Sequence, residues 1–432
     1  MRRSLRKDGH LAEGVRQEAW RSPAAPAGPT AAGDIAIRNS LKLQIGLKMI
    51  EQVVASLRES AGPRPQLLPP TLEAWEPRQG TESIAVLMSG GVDSSVTALL
   101  LRDAGWDVVG VTMKIPAPDG CCGAAAAVVC DQLDVPHYFI DVRKLFQNQV
   151  IEPFRQAYQE GKTPSPCVDC NTMLKFDAVW KALQEGFGIR HLATGHYARV
   201  IRNGRDVHLA RGIDRRRDQS YFLYGIKRER LPYLHLPLGH YKKPVVRQIA
   251  AKYGLAVATK PDSMELCFAG EGDYRGLFKQ VATEAGPIYD LKGVRLGEHR
   301  GIHHYTIGQR HGLGIASPHP LYVLRISARD NAVIVGPREK AETRVVQVED
   351  LNVLMPDLME EGRLLWGRIR SNAKLTKCVV NCREGKGTVL FSEPVFAPAP
   401  GQHLVLYDDA AKLVAGGTIR PISDYETFTE GR

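Results

Sequence analysis

The chain has 432 residues, of which 44% are hydrophobic, 24% charged and 7% aromatic. That balance excludes a wholly disordered or fibrous chain, and at about 150 residues per domain the length allows roughly three domains. Lys and Arg number 57 against 47 Asp and Glu, a net charge of +10, which favours a polyanionic partner, nucleic acid before an anionic membrane. No apolar run reaches the ~18 residues of a membrane span, and no signal-peptide core follows the basic start MRRSLRKDGH. A cytoplasmic, non-membrane protein is the expectation. Eight cysteines are too few for a disulfide scaffold. Their clustering at Cys121, Cys122, Cys130, Cys167 and Cys170 suits a reducing compartment and thiol or metal chemistry.

Residues 1–80 read as a flexible extension, with prolines at both ends of one amphipathic helix at 40–61. This segment holds 12 Lys and Arg against 8 Asp and Glu, so part of the basic balance belongs to it. From Ser83 strands and helices alternate. Ser83–Met88 is a short apolar run that fits a strand buried on both faces. A helix is expected from Asp93 to Ala104, with Asp93 or Ser94 near its N-cap and Gly105 at its stop. Val108–Met113 is the next strand, which completes a right-handed βαβ unit. A helix near 123–134, a strand at His137–Asp141, helices near 142–160 and 170–186, and a strand at His191–Thr194 follow. Pro153 should break or kink the first of the two later helices. After about residue 285 the helical period is lost. Short runs such as YVLRI, AVIVG, KCVVNC and HLVLYD, separated by turns, fit barrel or sandwich modules.

Ser89-Gly90-Gly91-Val92-Asp93-Ser94-Ser95 sits between the first strand and its helix. Its glycines let backbone N–H groups approach an anion. The helix N-terminus adds positive potential, and the serine hydroxyls add donors. The string ends in no Gly-Lys-[Ser/Thr], so it is not a Walker A loop, and its glycine spacing is not that of a dinucleotide fingerprint. It resembles the PP-loop of the ATP pyrophosphatase superfamily, whose members cleave ATP between the α and β phosphates.

Other segments narrow the choice: Thr163-Pro164-Ser165-Pro166-Cys167-Val168-Asp169-Cys170-Asn171, then Lys175-Phe176; Ala193-Thr194-Gly195-His196-Tyr197; Asp218-Gln219-Ser220-Tyr221-Phe222-Leu223 after three arginines; Asp262-Ser263-Met264-Glu265-Leu266-Cys267-Phe268; and Tyr305-Thr306-Ile307-Gly308-Gln309-Arg310. Together they are similar to the tRNA-specific 2-thiouridylase family, the bacterial MnmA type, from about Ile84 to Ile422. The resemblance implies an α/β fold with a parallel-sheet PP-loop domain (adenine nucleotide alpha hydrolase-like) at 81–285. A small central β-rich domain at 286–342 and a C-terminal β-barrel at 343–432 would follow.

The resemblance also implies thiolation of the wobble uridine of tRNAs for Lys, Glu and Gln. ATP would adenylate the 2-carbonyl oxygen, with Mg²⁺ to neutralise phosphate charge. Leu87, Met88, Ser89, Gly90, Gly91, Val92, Asp93 and Ser94 would bind ATP, completed by Met113 and Gly195. Cys267 matches the persulfide carrier and Cys170 the catalytic nucleophile, with Asp93 among the catalytic residues. Ser165, Pro166 and Cys167 match a stretch against the target base. His196, Arg217, Asp218, Gln219, Arg370, Ser371 and Gln402 match further tRNA contacts. A cysteine desulfurase or sulfur-relay protein is the implied sulfur donor, and a monomer is expected.

The residues leave alternatives open. Cys170 stands at the start of an expected helix, where a thiol pKa is lowered. Cys167, Cys170 and Cys267 could instead hold an Fe–S cluster, such as [4Fe-4S]. A PP-loop ligase or amidotransferase acting on a small molecule is the alternative function, although no glutaminase segment is visible. Cys130, Cys378 and Cys382 read as packed thiols. His303, His304 and His311 read as lining an interdomain surface.

Overall fold

In a computed structural model of the chain, residues 82–116, 123–262, 266–268 and 284–421 are described, together with the backbone of residues 20–21. The expected helix at 40–61 and the Cys121-Cys122 pair lie outside the described residues. Elements are numbered here from residue 82 onward, where the described chain falls in one compact unit.

The first layer is a parallel sheet. β1 (Ser83–Leu87), β2 (Asp107–Lys114), β3 (His137–Asp141), β4 (His191–Ala193) and β7 (Leu234–His235) stand in the order β3-β2-β1-β4-β7. Ile84, Ala85 and Val86 of β1 are fully buried, as a central strand covered on both faces requires. The chain moves outward from β1 to β3 on one side and then crosses to β4 on the other. The crevice outside the carboxyl ends of β1 and β4 is therefore the topological switch point, where open α/β sheets bind ligands. α1 (Val92–Asp103) and α2 (Gly123–Gln132) cover the sheet.

Pro153 takes effect as a change of helix type rather than a break. α3 (Arg143–Phe146) passes through a π turn at Gln147–Ile151 into α4 (Glu152–Gln159), and Pro153 stands at the second position of α4. Proline offers no N–H and its ring crowds the preceding turn, and the wider turn lies where that crowding falls. The next helical stretch is built likewise. α5 (Pro166–Asp169) runs into a π segment, Cys170–Val179, and then α6 (Trp180–Phe187). Phe146, Leu174, Phe176 and Trp180 are buried between these helices and the sheet.

A hairpin of β5 (Ala198–Asn203) and β6 (Asp206–Arg211) follows, and later α7 (Lys243–Lys252). Then come β8 (Gly286–Tyr289), β9 (Arg295–His299), β10 (Tyr322–Ser327) and β11 (Ala332–Gly336), in the order β9-β8-β11-β10. Their core is Ile288, Val323, Val333 and Val335. The turn Ile302–His304 packs against α4, so His303, which is buried, does line an interdomain surface.

The last six strands close a barrel. β12 (Glu342–Val353), β13 (Leu364–Arg368), β14 (Thr376–Arg383), β15 (Lys386–Phe396), β16 (His403–Tyr407) and β17 (Leu413–Ile419) stand in the order β12-β15-β14-β13-β16-β17. Along β15 the pattern alternates: Val389 and Phe391 are buried, and Leu390 between them is exposed. That is the period of two of a strand with one face in a core. Cys378 belongs to this core and Cys382 packs against it. Cys130 is fully buried under the parallel sheet.

The segment after Asp218 fastens the barrel to the first domain. Ser220 Oγ lies 3.0 Å from Tyr407 Oη, Tyr221 Oη donates to His403 O at 3.0 Å, and Tyr224 Oη lies 2.9 Å from His403 Nδ1. Asn352 Nδ2 donates to the carbonyls of Tyr224 and Ile226 at 2.6 and 3.0 Å. Among the described residues no helix is long and apolar enough to cross a membrane.

Candidate active site

The loop after β1 is tied down by its own serines. Gly91, rather than Asp93 or Ser94, caps α1, and it does so without a side chain. Ser94 Oγ and Ser95 Oγ donate to Gly91 O at 3.2 and 2.9 Å, and Ser89 N donates to Ser94 Oγ at 3.2 Å. Asp93 lies inside the first turn of α1, and its carboxylate is engaged by Lys243 and Tyr197. Gly90 has φ of 66°, a left-handed conformation that favours glycine. Leu87, Met88 and Val92 are buried beneath the loop, whereas Ser89 is exposed. Met113, half-buried, lies on the neighbouring strand β2. Gly195 closes the loop from the β4 side. A Cβ there would stand 2.9 Å from the backbone of Asp93 and Ser94, so only glycine permits this approach.

Three cations surround the carboxylates behind the loop. Lys243 Nζ, on the first residue of α7, reaches both Asp93 oxygens at 2.8 Å and Asp262 Oδ1 at 2.8 Å. Tyr197 Oη donates to Asp93 Oδ1 at 2.8 Å. Asp262 also takes Arg247 Nη2 at 2.6 Å and Arg217 Nη2 at 2.9 Å. Burial raises the Asp262 carboxyl, but the Lys243 hydrogen bond and the Lys243, Arg247 and Arg217 charges outweigh it and hold it below its usual range. Lys260 Nζ donates to Gly90 O at 2.9 Å. Three cations on two carboxylates, with a fourth on the loop carbonyl, leave excess positive charge beside the glycines. This arrangement fits a polyphosphate. Sequence reasoning found Asp93 but missed Lys243, Arg247 and Lys260, which lie in no motif.

The thiols form the second part of the site. Cys170 is 7% exposed, whereas Cys167 and Cys267 reach the surface. Phe268 anchors the Cys267 segment, edge-on to Phe146 at 5.5 Å and to Phe154 at 5.9 Å. Cys170 and Phe268, the residue after Cys267, belong to one hydrophobic core, and the charges of Cys170, Lys175 and Cys167 act on the Cys267 thiol. Enough protein surrounds the Cys267 sulfur, despite its exposure, for desolvation to push the thiol up to about 11. Burial also raises Cys170, with Lys175 acting against it and Asp169 with it. The expectation of a thiol lowered by a helix N-terminus is thus corrected. Cys170 follows α5 instead of starting it, and desolvation of the thiolate dominates. Asp169, beside it, is pushed by burial up to about 6. Lys175 Nζ donates to Asn171 Oδ1 at 2.9 Å, and Asn171 Nδ2 to Phe222 O at 3.0 Å. Among the described residues no group of three or more His, Cys, Asp or Glu is placed to hold a metal ion.

The residues matched to tRNA contacts divide into two sets. Ser165, Pro166 and Cys167 open the helix that carries Cys170. Gln402 reaches them from the barrel, with Nε2 donating to Thr163 O at 3.0 Å and Pro164 O at 3.3 Å. His196 Nδ1 lies 2.7 Å from Thr194 Oγ1, and burial followed by the Lys175 charge lowers the ring to about 3. Arg217 is exposed. In the other set, Asp218, Gln219 and Arg370 are engaged by the protein's own groups. The Asp218 side chain is 1% exposed and pairs with Arg211 Nε at 2.8 Å and Arg368 Nη2 at 3.4 Å. Gln219 Oε1 accepts from Tyr197 N at 2.9 Å. Arg370 Nη2 donates to Ile307 O at 3.2 Å and to Ala397 O. Ser371, half-buried, follows it.

Comparison with known proteins covers the same span. Residues 82–271 match the tRNA methyl transferase HUP domain, 276–337 the tRNA methyl transferase PRC-barrel domain and 343–419 the Aminomethyltransferase beta-barrel domain. The tRNA-specific 2-thiouridylase MnmA of Synechocystis sp. is 44% identical over 351 residues, 79% of this chain and 98% of that protein. Proteins of the same name from Carboxydothermus hydrogenoformans and Moorella thermoacetica are 42% and 43% identical over 361 and 358 residues. They are covered to 98% and 99%, against 79% and 78% of this chain.

Proposed function

The chain belongs to the tRNA-specific 2-thiouridylase family, and from that premise we propose that it replaces the 2-oxygen of the wobble uridine with sulfur in tRNAs for Lys, Glu and Gln. The observation that supports this reading is that Cys170 and Phe268, the neighbour of Cys267, share one hydrophobic core although they are far apart in sequence.

A uridine 2-carbonyl is a weak electrophile, and its oxygen leaves poorly. Attack of that oxygen on the α-phosphorus of ATP expels pyrophosphate and makes AMP the leaving group. Leu87 to Ser94, Met113 and Gly195 hold the nucleotide in this proposal, and the Lys243 and Lys260 charges face its phosphates. Mg²⁺, when bound with the nucleotide, supplies further neutralisation of phosphate charge. The terminal sulfur of a Cys267 persulfide then attacks C2, and AMP departs with the original oxygen. The Cys170 thiolate attacks Cys267 Sγ. The sulfur–sulfur bond to the base breaks, 2-thiouridine is released and a Cys170–Cys267 disulfide remains. An external thiol reductant returns both cysteines to thiols. A cysteine desulfurase or relay protein then reloads Cys267. Ser165, Pro166, Cys167, His196, Arg217 and Gln402 are the residues proposed to meet the splayed anticodon.

AMP release tests the reading. It should require a tRNA bearing a wobble uridine and proceed one-for-one with 2-thiouridine formed. AMP release with a small-molecule amine acceptor and no tRNA would instead favour a PP-loop ligase.

A further inference from the structure

We propose that a basic pocket at the amino end of the parallel sheet is a second anion site, one that takes the phosphate group of a small phosphorylated molecule. It is separate from the ATP loop and does not depend on the thiolation reading. The pocket encloses about 270 Å³ and is lined by Gln184, Arg190, Lys227, Glu229, Arg230 and Tyr233. Its place follows from the strands. Arg190 is the residue before β4 and Tyr233 the residue before β7, so both stand at the amino ends of two paired parallel strands. The PP-loop follows β1, and Gly195 lies beyond β4, at the carboxyl ends. The 3 residues of β4, at about 3.3 Å each, put roughly 10 Å of strand between the two edges.

Local structure places the two arginines. α6 stops at Gly188, whose φ of 69° is left-handed, and Ile189 N then bonds back to Leu183 O at 3.2 Å. Arg190 is thereby brought against the helix, where Trp180 Nε1 donates to Arg190 O at 2.9 Å. The same indole is buried, and the Arg230 guanidinium lies over it, 5.1 Å from the ring centre. Arg230 Nη1 donates to Gln184 Oε1 at 3.0 Å. The Arg190 guanidinium lies over the Tyr233 ring at 5.9 Å, and that ring stands edge-on to buried His191 at 5.4 Å. Each guanidinium thus rests on an aromatic ring, and among the described residues neither forms an ion pair. Lys227 differs, because Asp177 Oδ1 takes its Nζ at 2.9 Å.

A guanidinium stacked on a ring keeps its N–H edge for an acceptor. Two such edges in one cavity suit the several oxygens of a phosphate, which takes Arg in a bidentate fork. The dianion of a phosphate monoester can meet both arginines at once, whereas the single charge of a carboxylate matches one. Glu229 is the acid in the lining. It pairs with neither arginine and opposes an anion in the pocket, so it lowers the affinity of the site without closing it. Arg190 is exposed and Arg230 half-buried, which leaves both open to a ligand from solvent.

Modification of the full chain by phenylglyoxal, followed by peptide mass mapping, reads the site arginine by arginine and needs no turnover. Millimolar inorganic phosphate should slow modification of both Arg190 and Arg230 by roughly fivefold or more, relative to sodium chloride at the same ionic strength. Arg228, exposed and outside the lining, should change by less than about twofold, as screening alone would give. Arg190→Gln should remove the protection of Arg230. Glu229→Gln should lower the half-protecting phosphate concentration by about threefold or more, because it removes the opposing charge. Both substitutions fall at exposed positions, so the fold is kept. The PP-loop also takes phosphate, but the mapping reports the pocket arginines by themselves. An anticodon stem-loop RNA offers the same phosphate chemistry as a diester backbone. Protection by that RNA with none by inorganic phosphate overturns the small-molecule assignment. Equal slowing at Arg228, unchanged protection of Arg230 in Arg190→Gln, or no protection by phosphate overturns the pocket as an anion site.

Discussion

Replacing Cys170 by Ser should stop release of 2-thiouridine and leave the tRNA attached to the protein through Cys267. In the proposed sequence the persulfide sulfur is already on C2 when AMP leaves. The bond still to be broken is the one between that sulfur and Cys267 Sγ. Cys170 is buried and shares a core with Phe268, the neighbour of Cys267, and the proposal gives it this attack. Losing a positioned nucleophile should lower product release by at least about 10²-fold, a modest fraction of what orientation supplies. The trapped adduct should appear on non-reducing gels and dissolve with dithiothreitol. Cys167 is exposed, as is Cys267, so any residual release should disappear in the Cys167→Ser, Cys170→Ser double variant. Normal release from the double variant would contradict a two-thiol mechanism.

Asp218→Ala should destabilise the joint between the first domain and the barrel rather than simply weaken tRNA binding. The carboxylate is sealed at 1% exposure between Arg211 and Arg368. It also accepts from Gly212 N at 3.1 Å and Ser220 N at 3.2 Å. Arg368, itself buried, donates further to Tyr407 Oη at 3.2 Å and lies over the rings of Tyr221 and Tyr407. Removing the acid strands two guanidinium charges at a buried interface. Breaking one side of a buried ion pair costs about 3–5 kcal/mol. Urea unfolding monitored by barrel tryptophan Trp366 should show an earlier transition. An unchanged transition with weakened tRNA binding would make Asp218 a direct tRNA contact instead.

These two residues also show what could be read from sequence. The PP-loop was legible because an apolar strand, a glycine pair and a helix start are local signals, and the structure places them as expected. The barrel strands were legible as alternation, but their closure was not. β12 must pair with β17 across some sixty intervening residues, and no local pattern encodes that. The N-cap of α1 was legible only approximately, since it falls on Gly91, just before Asp93. Asp93 has the chemistry of a cap, but Lys243, 150 positions away, takes its carboxylate. Cys170 likewise had the right residue type, and its thiol is raised by burial that only tertiary packing creates. The Asp218-Gln219 string carried a strong family signal, and its acid turns inward because Arg211 and Arg368 meet it there. Sequence shows a charge but not its distant partner, and the partner decides whether the charge faces RNA or holds domains together.

The most direct test of the account is the 2-thiouridine content of tRNA after incubation with the Cys267→Ser protein, ATP and a sulfur source, with ATP binding measured in parallel. Nucleotide affinity should be unchanged, and no 2-thiouridine should appear at the wobble position. Thiolation at the rate of the unsubstituted protein would contradict it.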